Sequence, residues 1–487
     1  MNNRIALVEL KDAKYPTKSC SFRPGILYPE YPFGDISTGE NQVYDSVRSA
    51  FYLLNYDHDH FNTRDWNPLG EIVKPGMTVL IKPNMVMEVN MSGQGENCLY
   101  THPSVIAPII DYVCIALEGR GRIILGDAPV QECDFDVLLD KSGYGNLIQF
   151  YRDQGINIEI VDFRGAVSVE NNGLYSLVER ENPKGIVINL GKNSAFYSMP
   201  ERVKRRLRIT NYNPNDVYIH HLGEQNEYYI SSYALEADVI INVPKPKTHR
   251  LAGITGALKN FVGINVRKEY LPHHIIGSYS NMGDESDVSG MLINAMDFCA
   301  DKKNYYQAIK EKKKAWFFLQ GCRGFSFLLK PFSSYRNGGW YGNRTISKTI
   351  NDINKIVYYA DKNGEMQNEV QRRIISIADM VICGQGNGPL RPMPKETGMI
   401  LVGENPVCFD TVIAAIMGFD DKKIPTIGQM KDNSDGKYMT KDFLQEPIIY
   451  SNQTELNGKQ LSQISEQISC GFIPSDGWKN HIEKCNY

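Results

Sequence analysis

A mostly parallel, doubly wound α/β fold, with helices on both faces of its sheet or sheets, is the class this sequence predicts. Three observations point there. Short β-branched runs alternate with segments of helical period, one strand–helix–strand unit fits inside residues 77–127, and polar clusters fall where the strands end. At 487 residues the chain exceeds one ordinary domain. Two α/β lobes are therefore expected, 1–235 and 236–430, with 431–487 as a polar peripheral segment.

The first strand is the opening run Ile5-Ala-Leu-Val-Glu-Leu10, which is too short in apolar length to read as a signal peptide. Met77-Thr-Val-Leu-Ile-Lys82 follows a Pro-Gly turn and reads as a buried strand. From Pro103 to Leu117 the apolar residues recur at helical spacing, with Thr101 or His102 as cap and Pro103 in the first turn. Arg122-Ile-Ile-Leu-Gly-Asp127 is the next strand and completes a βαβ unit, which demands parallel pairing. A helix over Phe135 to Gln154 and strands over 156–163 and 185–190 continue the alternation. Ala237-Asp-Val-Ile-Ile-Asn-Val243 is a further strand, with helices expected near 288–312 and 345–360. Late strands are read at 378–383 and 399–403, and a late helix at 406–417.

Composition narrows the function classes. Hydrophobic residues make up 42% and charged residues 22% of the chain, enough for sizeable cores and too apolar for disorder. A net charge of −3 supplies no global field for nucleic acid, and none is expected as partner. The apolar window 315–329 holds Gln320, Arg323 and two glycines, so it does not read as a spanning helix. A partly buried element is expected there in preference to a membrane-skimming helix. The ten cysteines show no CxxC spacing, so no iron–sulfur cluster or zinc ribbon is expected, and cytoplasmic reduced thiols are the simplest account.

The chemistry concentrates at strand exits, where doubly wound sheets bind ligands. Lys82 and Asn84 leave one strand, His102 opens a helix, and Asp127 ends the next strand. The turn Lys245-Pro-Lys-Thr-His249 then packs Lys245, Lys247, Thr248 and His249 into five positions, a cationic group suited to phosphate or carboxylate. Small residues at 252–257, including Gly256, would let a ligand approach, and Lys259 and Asn260 follow on a helix. The Walker A order is absent, so no nucleotide loop is read. His273 and His274 are candidate metal ligands, although adjacent residues point different ways. Asn387 sits in a glycine run, 384–388, that either presents backbone donors to an anion or makes a tight turn. Asp410, in the last helix, is expected in a structural role.

These pieces resemble domain-of-unknown-function family 362. The matching segments run in order through Ile81-Lys-Pro-Asn84, Thr101-His-Pro103, Gly126-Asp127, Lys141-Ser-Gly-Tyr144, Ala237 to Lys245 and Lys247-Thr-His249. They continue through Gly256-Ala-Leu-Lys-Asn260, Asp352-Ile-Asn354, Gly386-Asn-Gly-Pro389 and Asn405-Pro406 with Asp410. The family carries no established reaction. Gln385 stands where the family often has glutamate. A shorter likeness, over His249-x-x-Ala-Gly-x-Thr-Gly-x-x-Lys259, is to the signature of nickel-pincer lactate racemases. That likeness implies a cofactor lysine at Lys259, a catalytic histidine at His249, and a downstream metal ligand at His273 or His274.

The function expected is an enzyme acting on a small anionic substrate: a hydroxy acid, a sugar acid or a phosphorylated metabolite. His249, Lys259 and His102 would be its catalytic residues. Lys82, Asn84, Asp127, Lys245, Lys247, Thr248, Gly256, Asn260 and Asn387 would bind the substrate. An isomerase or epimerase is the narrower reading, with a nickel pincer or a divalent metal as the cofactor the likeness would bring. The alternative is a binding protein without turnover for a phosphorylated or carboxylate ligand. A homo-oligomer is left open.

Overall fold

The computed structural model describes residues 2–16, 22–329, 335–431, 438–439 and 443–484. Cys20 and Cys485 lie outside them. In chain order the central sheet is built from β1 (Arg4–Glu9), β2 (Thr78–Pro83), β3 (Arg122–Asp127), β4 (Ile158–Asp162), β5 (Val239–Val243) and β6 (Lys247–His249). It continues with β7 (Gly253–Thr255), β8 (Arg373–Asn387), β9 (Arg391–Gly403), β10 (Ile448–Ser451) and β11 (Lys459–Gln460). Its helices include α1 (Gln42–Leu53), α2 (Pro103–Leu117), α3 (Phe135–Ser142), α4 (Tyr144–Asp153) and the short α5 (Ala257–Asn260). After them come α6 (Met291–Ala308), α7 (Lys312–Leu329), α8 (Thr345–Tyr359) and α9 (Pro406–Met417).

The strand order is β11-β10-β1-β9-β8-β5-β2-β3-β4, with β6 and β7 branching from β8. From β8 to β4 every pairing is parallel, as the βαβ reading requires. Beyond β8 the long hairpin to β9 and the pairing of β1 with β9 are antiparallel. Alternation along the strands serves both faces. Val79, Ile81, Ile123, Leu125 and Ile241 pack with α1, α2 and α4. Leu80, Ile124 and Ile240 pack with α8 and α9 on the other side. The expected class holds: a large, mostly parallel sheet covered on both faces.

Several expectations change in detail. β5 lies between β2 and β8, so the expected boundary at 235/236 runs between hydrogen-bonded neighbours of one sheet. The 431–487 segment supplies β10 and β11 and reaches the central site, where Trp478 Nε1 donates to the carbonyl of Arg250 at 2.8 Å. The helix expected over 135–154 is two, because Gly143 takes φ +91° and ends α3 before α4 begins. The run 185–190 does not join the main sheet. Its residues Gly185–Asn189 pair with Glu227–Ser231 in a separate ribbon. The strands expected at 378–383 and 399–403 are parts of the much longer β8 and β9. The element over 315–329 is α7, partly buried as expected: Ala315 is buried, one side is half-buried against α6, and the other side is exposed.

Candidate functional site

The site grows out of a reversal in strand order. From β2 the chain winds through β3 to β4 in one direction, and then returns with β5 on the other flank of β2. Crossovers leave the carboxyl ends of β2 and β5 diverging, which opens a crevice there. Lys82 and Asn84 exit from β2, Asp127 from β3, and Asn242 to Lys245 from β5. The crevice is a cavity of about 820 Å³ lined by Asn84, Asp127, Lys247, His249, Arg250, Thr255, Lys259, Asn260, Lys268, His273 and Asn387, among others.

Beneath this cavity lies a floor of neutralised charge. Lys82 is fully buried and donates to Asp127 Oδ1 at 2.7 Å, to the Pro83 carbonyl at 2.8 Å and to Asn260 Oδ1 at 3.4 Å. Asp127 also accepts from the amides of Met85 and Ala128. Gly263 crosses directly above: a Cβ there would sit 1.9 Å from Asp127 Oδ1 and 2.8 Å from Lys82 Nζ. Lys245 is equally buried, pairs with Asp379 at 3.0 Å and donates to the Tyr15 hydroxyl. Asp379 accepts in addition from Tyr15 at 2.6 Å and from the His102 amide at 2.8 Å. His102 stacks on Tyr15 with ring centroids 3.9 Å apart and caps α2 through Nδ1, which accepts from the Ser104 amide.

The wall of the cavity is different. Lys247 donates to Asn84 Oδ1 at 2.5 Å and to the Lys245 carbonyl at 3.1 Å, and Lys268 donates to the Ala128 carbonyl at 2.9 Å. Among the described residues none of Lys247, Lys259 and Lys268 forms an ion pair, and Lys259 has no hydrogen-bond partner. Burial, then the neighbouring Lys245 and Lys259 charges, push the Lys247 ammonium down to about 7. Burial likewise brings Lys259 and Lys268 to about 8, with Lys268 and Lys82 adding repulsion at Lys259. The Thr255 hydroxyl, buried and lining the same space, has no partner. A buried polar atom left unpaired costs free energy unless a ligand or water meets it.

Two histidines on this wall carry opposite tautomers. The hairpin from β6 to β7 folds so that His249 Nδ1 accepts from the amides of Leu251 at 3.1 Å and Ala252 at 3.2 Å. Burial, then the Lys259 charge, hold this imidazole well below its ordinary range, so it is neutral with its proton on Nε2. His249 can offer the cavity a donor and no lone pair. At His273 the Nδ1 proton is given to the Leu271 carbonyl at 2.6 Å. Burial brings this ring to about 4, so its Nε2 is an unprotonated acceptor.

The structure thus divides the candidate residues. Asn84, Asp127, Lys247, His249, Lys259, Asn260, His273 and Asn387 line one cavity. Asp127 and Asn260 are already saturated by protein partners, and Asn387 is held by Asp476 at 2.7 Å. Lys82, Lys245, His102, Thr248, Gly256 and His274 are not on the wall. Thr248 donates to the Gly386 carbonyl, and Gly256 makes room for Asp410, whose Oδ1 would lie 2.2 Å from a Cβ at that position. Asp410, carried by α9, accepts from the Ala257 and Leu258 amides and so caps α5, while burial pushes its carboxyl up to about 7. The glycine run 384–388 closes the β8–β9 hairpin. The amides of Gly384, Gly386 and Gly388 are donated to protein carbonyls, so the run is the end of β8 leading into its turn and not an anion cradle.

For a metal, the fit is poor. His274 has turned into the protein, away from its neighbour's cavity, and no group of three His, Cys, Asp or Glu side chains with metal-binding geometry gathers among the described residues. Lys259 lines the cavity with no ion pair among the described residues. Sequence reasoning missed Arg250, Thr255 and Lys268, which come from the highlighted stretch or just beyond it. It also missed Asp476 and Gly477, brought to the rim by the C-terminal segment.

Comparison with known proteins agrees with the extent of the α/β core. The family described as Domain of unknown function (DUF362) matches residues 79–180 and 189–415, and the chain belongs to it. A thylakoid-associated protein of Synechocystis sp. is 22% identical over 407 residues, covering 83% of this chain and 82% of that protein. The likeness to nickel-pincer racemases rests on its short segment alone.

Proposed function

We propose that this member of the DUF362 family is an enzyme that moves a proton on a small polyanionic substrate, a hydroxy acid or sugar acid, in the manner of an isomerase or epimerase. One observation carries the reading: a wall of three lysines without ion pairs, flanked by two neutral histidines of opposite tautomer. Lys247, Lys259 and Lys268 hold the substrate's carboxylate or phosphate, whose charge replaces the counter-ions the wall lacks. His273 Nε2 takes the proton from the carbon beside the carboxylate, because it is the ring with a lone pair to offer. His249 Nε2–H donates to the oxygen on which charge then develops, a role that a neutral imidazole fills without losing its own proton. The His273 imidazolium formed in this step returns its proton to the same carbon, and inversion follows when the planar intermediate has turned its other face to that ring. The same reading keeps the protein in the cytoplasm, supported by eight described cysteines that are free thiols.

The test is exchange of the carbon-bound proton with D2O, followed by NMR over a panel of 2-hydroxy acids and sugar acids. His273→Gln is expected to abolish exchange while leaving affinity within a few fold. His249→Gln keeps a donor and is expected to retain part of the rate, with His249→Ala down by about 10²–10³. Tight binding of these anions with no exchange in any of them would favour the binding-protein alternative.

A further inference from the structure

α6 and α7 form a helical hairpin whose inner seam is well packed and whose outer face is uncovered among the described residues. Inside, Phe318 stacks on Tyr306 at 5.6 Å and meets Phe298 at 6.1 Å. Outside, Trp316 is 53% exposed, Phe317 67%, Phe327 72% and Leu328 52%. Helical spacing puts these four on one continuous face, together with Lys313, Gln320 and Gly324, and with Arg323 at its margin. Among the described residues, the exposed phenylalanine and tryptophan side chains are Phe298, Trp316, Phe317 and Phe327, all on this hairpin. Elsewhere the protein has found cover for such rings, so the concentration here marks a surface with an occupant.

Charge says which occupant. Over residues 309–329 the cations are Lys310, Lys312, Lys313, Lys314 and Arg323, against the single acid Glu311, in a chain whose net charge is −3. Two copies of this face would bring their cations together. An anionic surface would neutralise them, while the rings enter the apolar layer and the lysine stems reach back to the headgroups. We propose that α7 is a membrane-docking helix that lies in the interface of an anionic lipid bilayer. It lies on the bilayer and does not cross it, since no helix among the described residues is long and apolar enough to span. The hairpin is tied to the catalytic region at its base. Arg208 pairs with Asp301 at 2.9 Å, and Arg336, on the cavity rim, pairs with Asp297 and Glu285. Docking would therefore hold the cavity at a fixed place relative to the lipid surface.

A built-in probe makes this testable. Of the four tryptophans, Trp66, Trp340 and Trp478 are buried and Trp316 alone is exposed. The full-length protein is mixed with phosphatidylcholine vesicles, with or without phosphatidylglycerol, and followed by sedimentation and tryptophan emission. Binding to the phosphatidylglycerol vesicles, weakened by salt, with a blue shift that Trp316→Phe removes, is the expected result. Lys312→Gln/Lys313→Gln/Lys314→Gln is expected to cut partitioning by about 10²-fold, and Phe317→Ser/Phe327→Ser by a similar factor. Both variants should keep the wild-type Tm, because the replaced side chains are exposed. A wild-type protein that stays in the supernatant with unshifted emission would overturn the proposal. So would a blue shift that follows protein concentration without lipid, which would identify a second copy as the occupant.

Discussion

Lysines around the carboxyl ends of these strands do two different jobs in one region of the fold. In the floor, Lys82 and Lys245 each face a carboxylate, Asp127 and Asp379, and every partner in those clusters is protein. In the wall, Lys247 is just as short of water and Lys259 and Lys268 are half-buried, and all three have only neutral oxygens or, among the described residues, nothing at all. Burying a charge is costly unless it is paired. The floor offsets much of that cost internally and becomes part of the fold, although burial still outweighs Asp127 and holds Lys82 below its ordinary range. The wall leaves it standing, as lysines pushed down to about 7 and 8, and on the proposed function an anionic ligand would relieve it. The difference teaches that residue type alone does not mark a binding site; the missing counter-ion does.

The sharpest way to break this contrast is to disturb the floor. Asp379→Ala would leave Lys245 charged in the core and strip the Tyr15 hydroxyl and His102 amide of their acceptor. The expected cost is about 3–5 kcal/mol of stability, read by denaturant unfolding. A loss within the range of an ordinary surface substitution would show that the floor is not structural.

A smaller effect comes from pH. Anion binding favours charged lysines, so affinity for a fully ionised hydroxy acid such as malate is highest below pH 7. It is expected to weaken by up to about tenfold per pH unit above 8 for each proton taken up, as calorimetry in buffers of different ionisation heat would measure. Without ligand the sign reverses. The unfolded chain keeps these lysines charged up to the ordinary range near about 10.4, whereas the folded wall releases protons from about 7. The wall's contribution to stability therefore rises with pH across that window.

Much of this frame was legible from the chain. Short β-branched runs and segments of period 3.6 pointed to the parallel strands and their helices, and proline and glycine punctuation placed the strand exits. The stretch 245–260 stood out because cations, glycines and a histidine crowd there, and Lys247, His249, Lys259 and Asn260 from it line one cavity. What could not be read was which lysine had a partner. Asp379 lies 134 residues from Lys245 and Asp127 lies 45 from Lys82, and such contacts are made by sheet order. Nor does spacing reveal a tautomer. His249 and His273 differ because one accepts from backbone amides and the other donates to a backbone carbonyl. His274 looked equivalent to His273 in sequence, yet the two rings diverge as neighbouring side chains do on an extended segment. The exposed face of α7 was hidden for a related reason. Apolar content alone suggested burial, and only the packing shows which face has no cover.

The most direct test sets the two groups of lysines side by side in thermal unfolding, with and without malate. Lys247→Met and Lys259→Met are predicted to hold or raise Tm in the absence of ligand and to erase the stabilisation malate gives. Lys82→Met and Lys245→Met are predicted to lower Tm sharply, since each leaves a buried carboxylate without its counter-ion. Equal losses of Tm from both groups, or a malate stabilisation that survives in the Lys247 and Lys259 variants, would contradict the account.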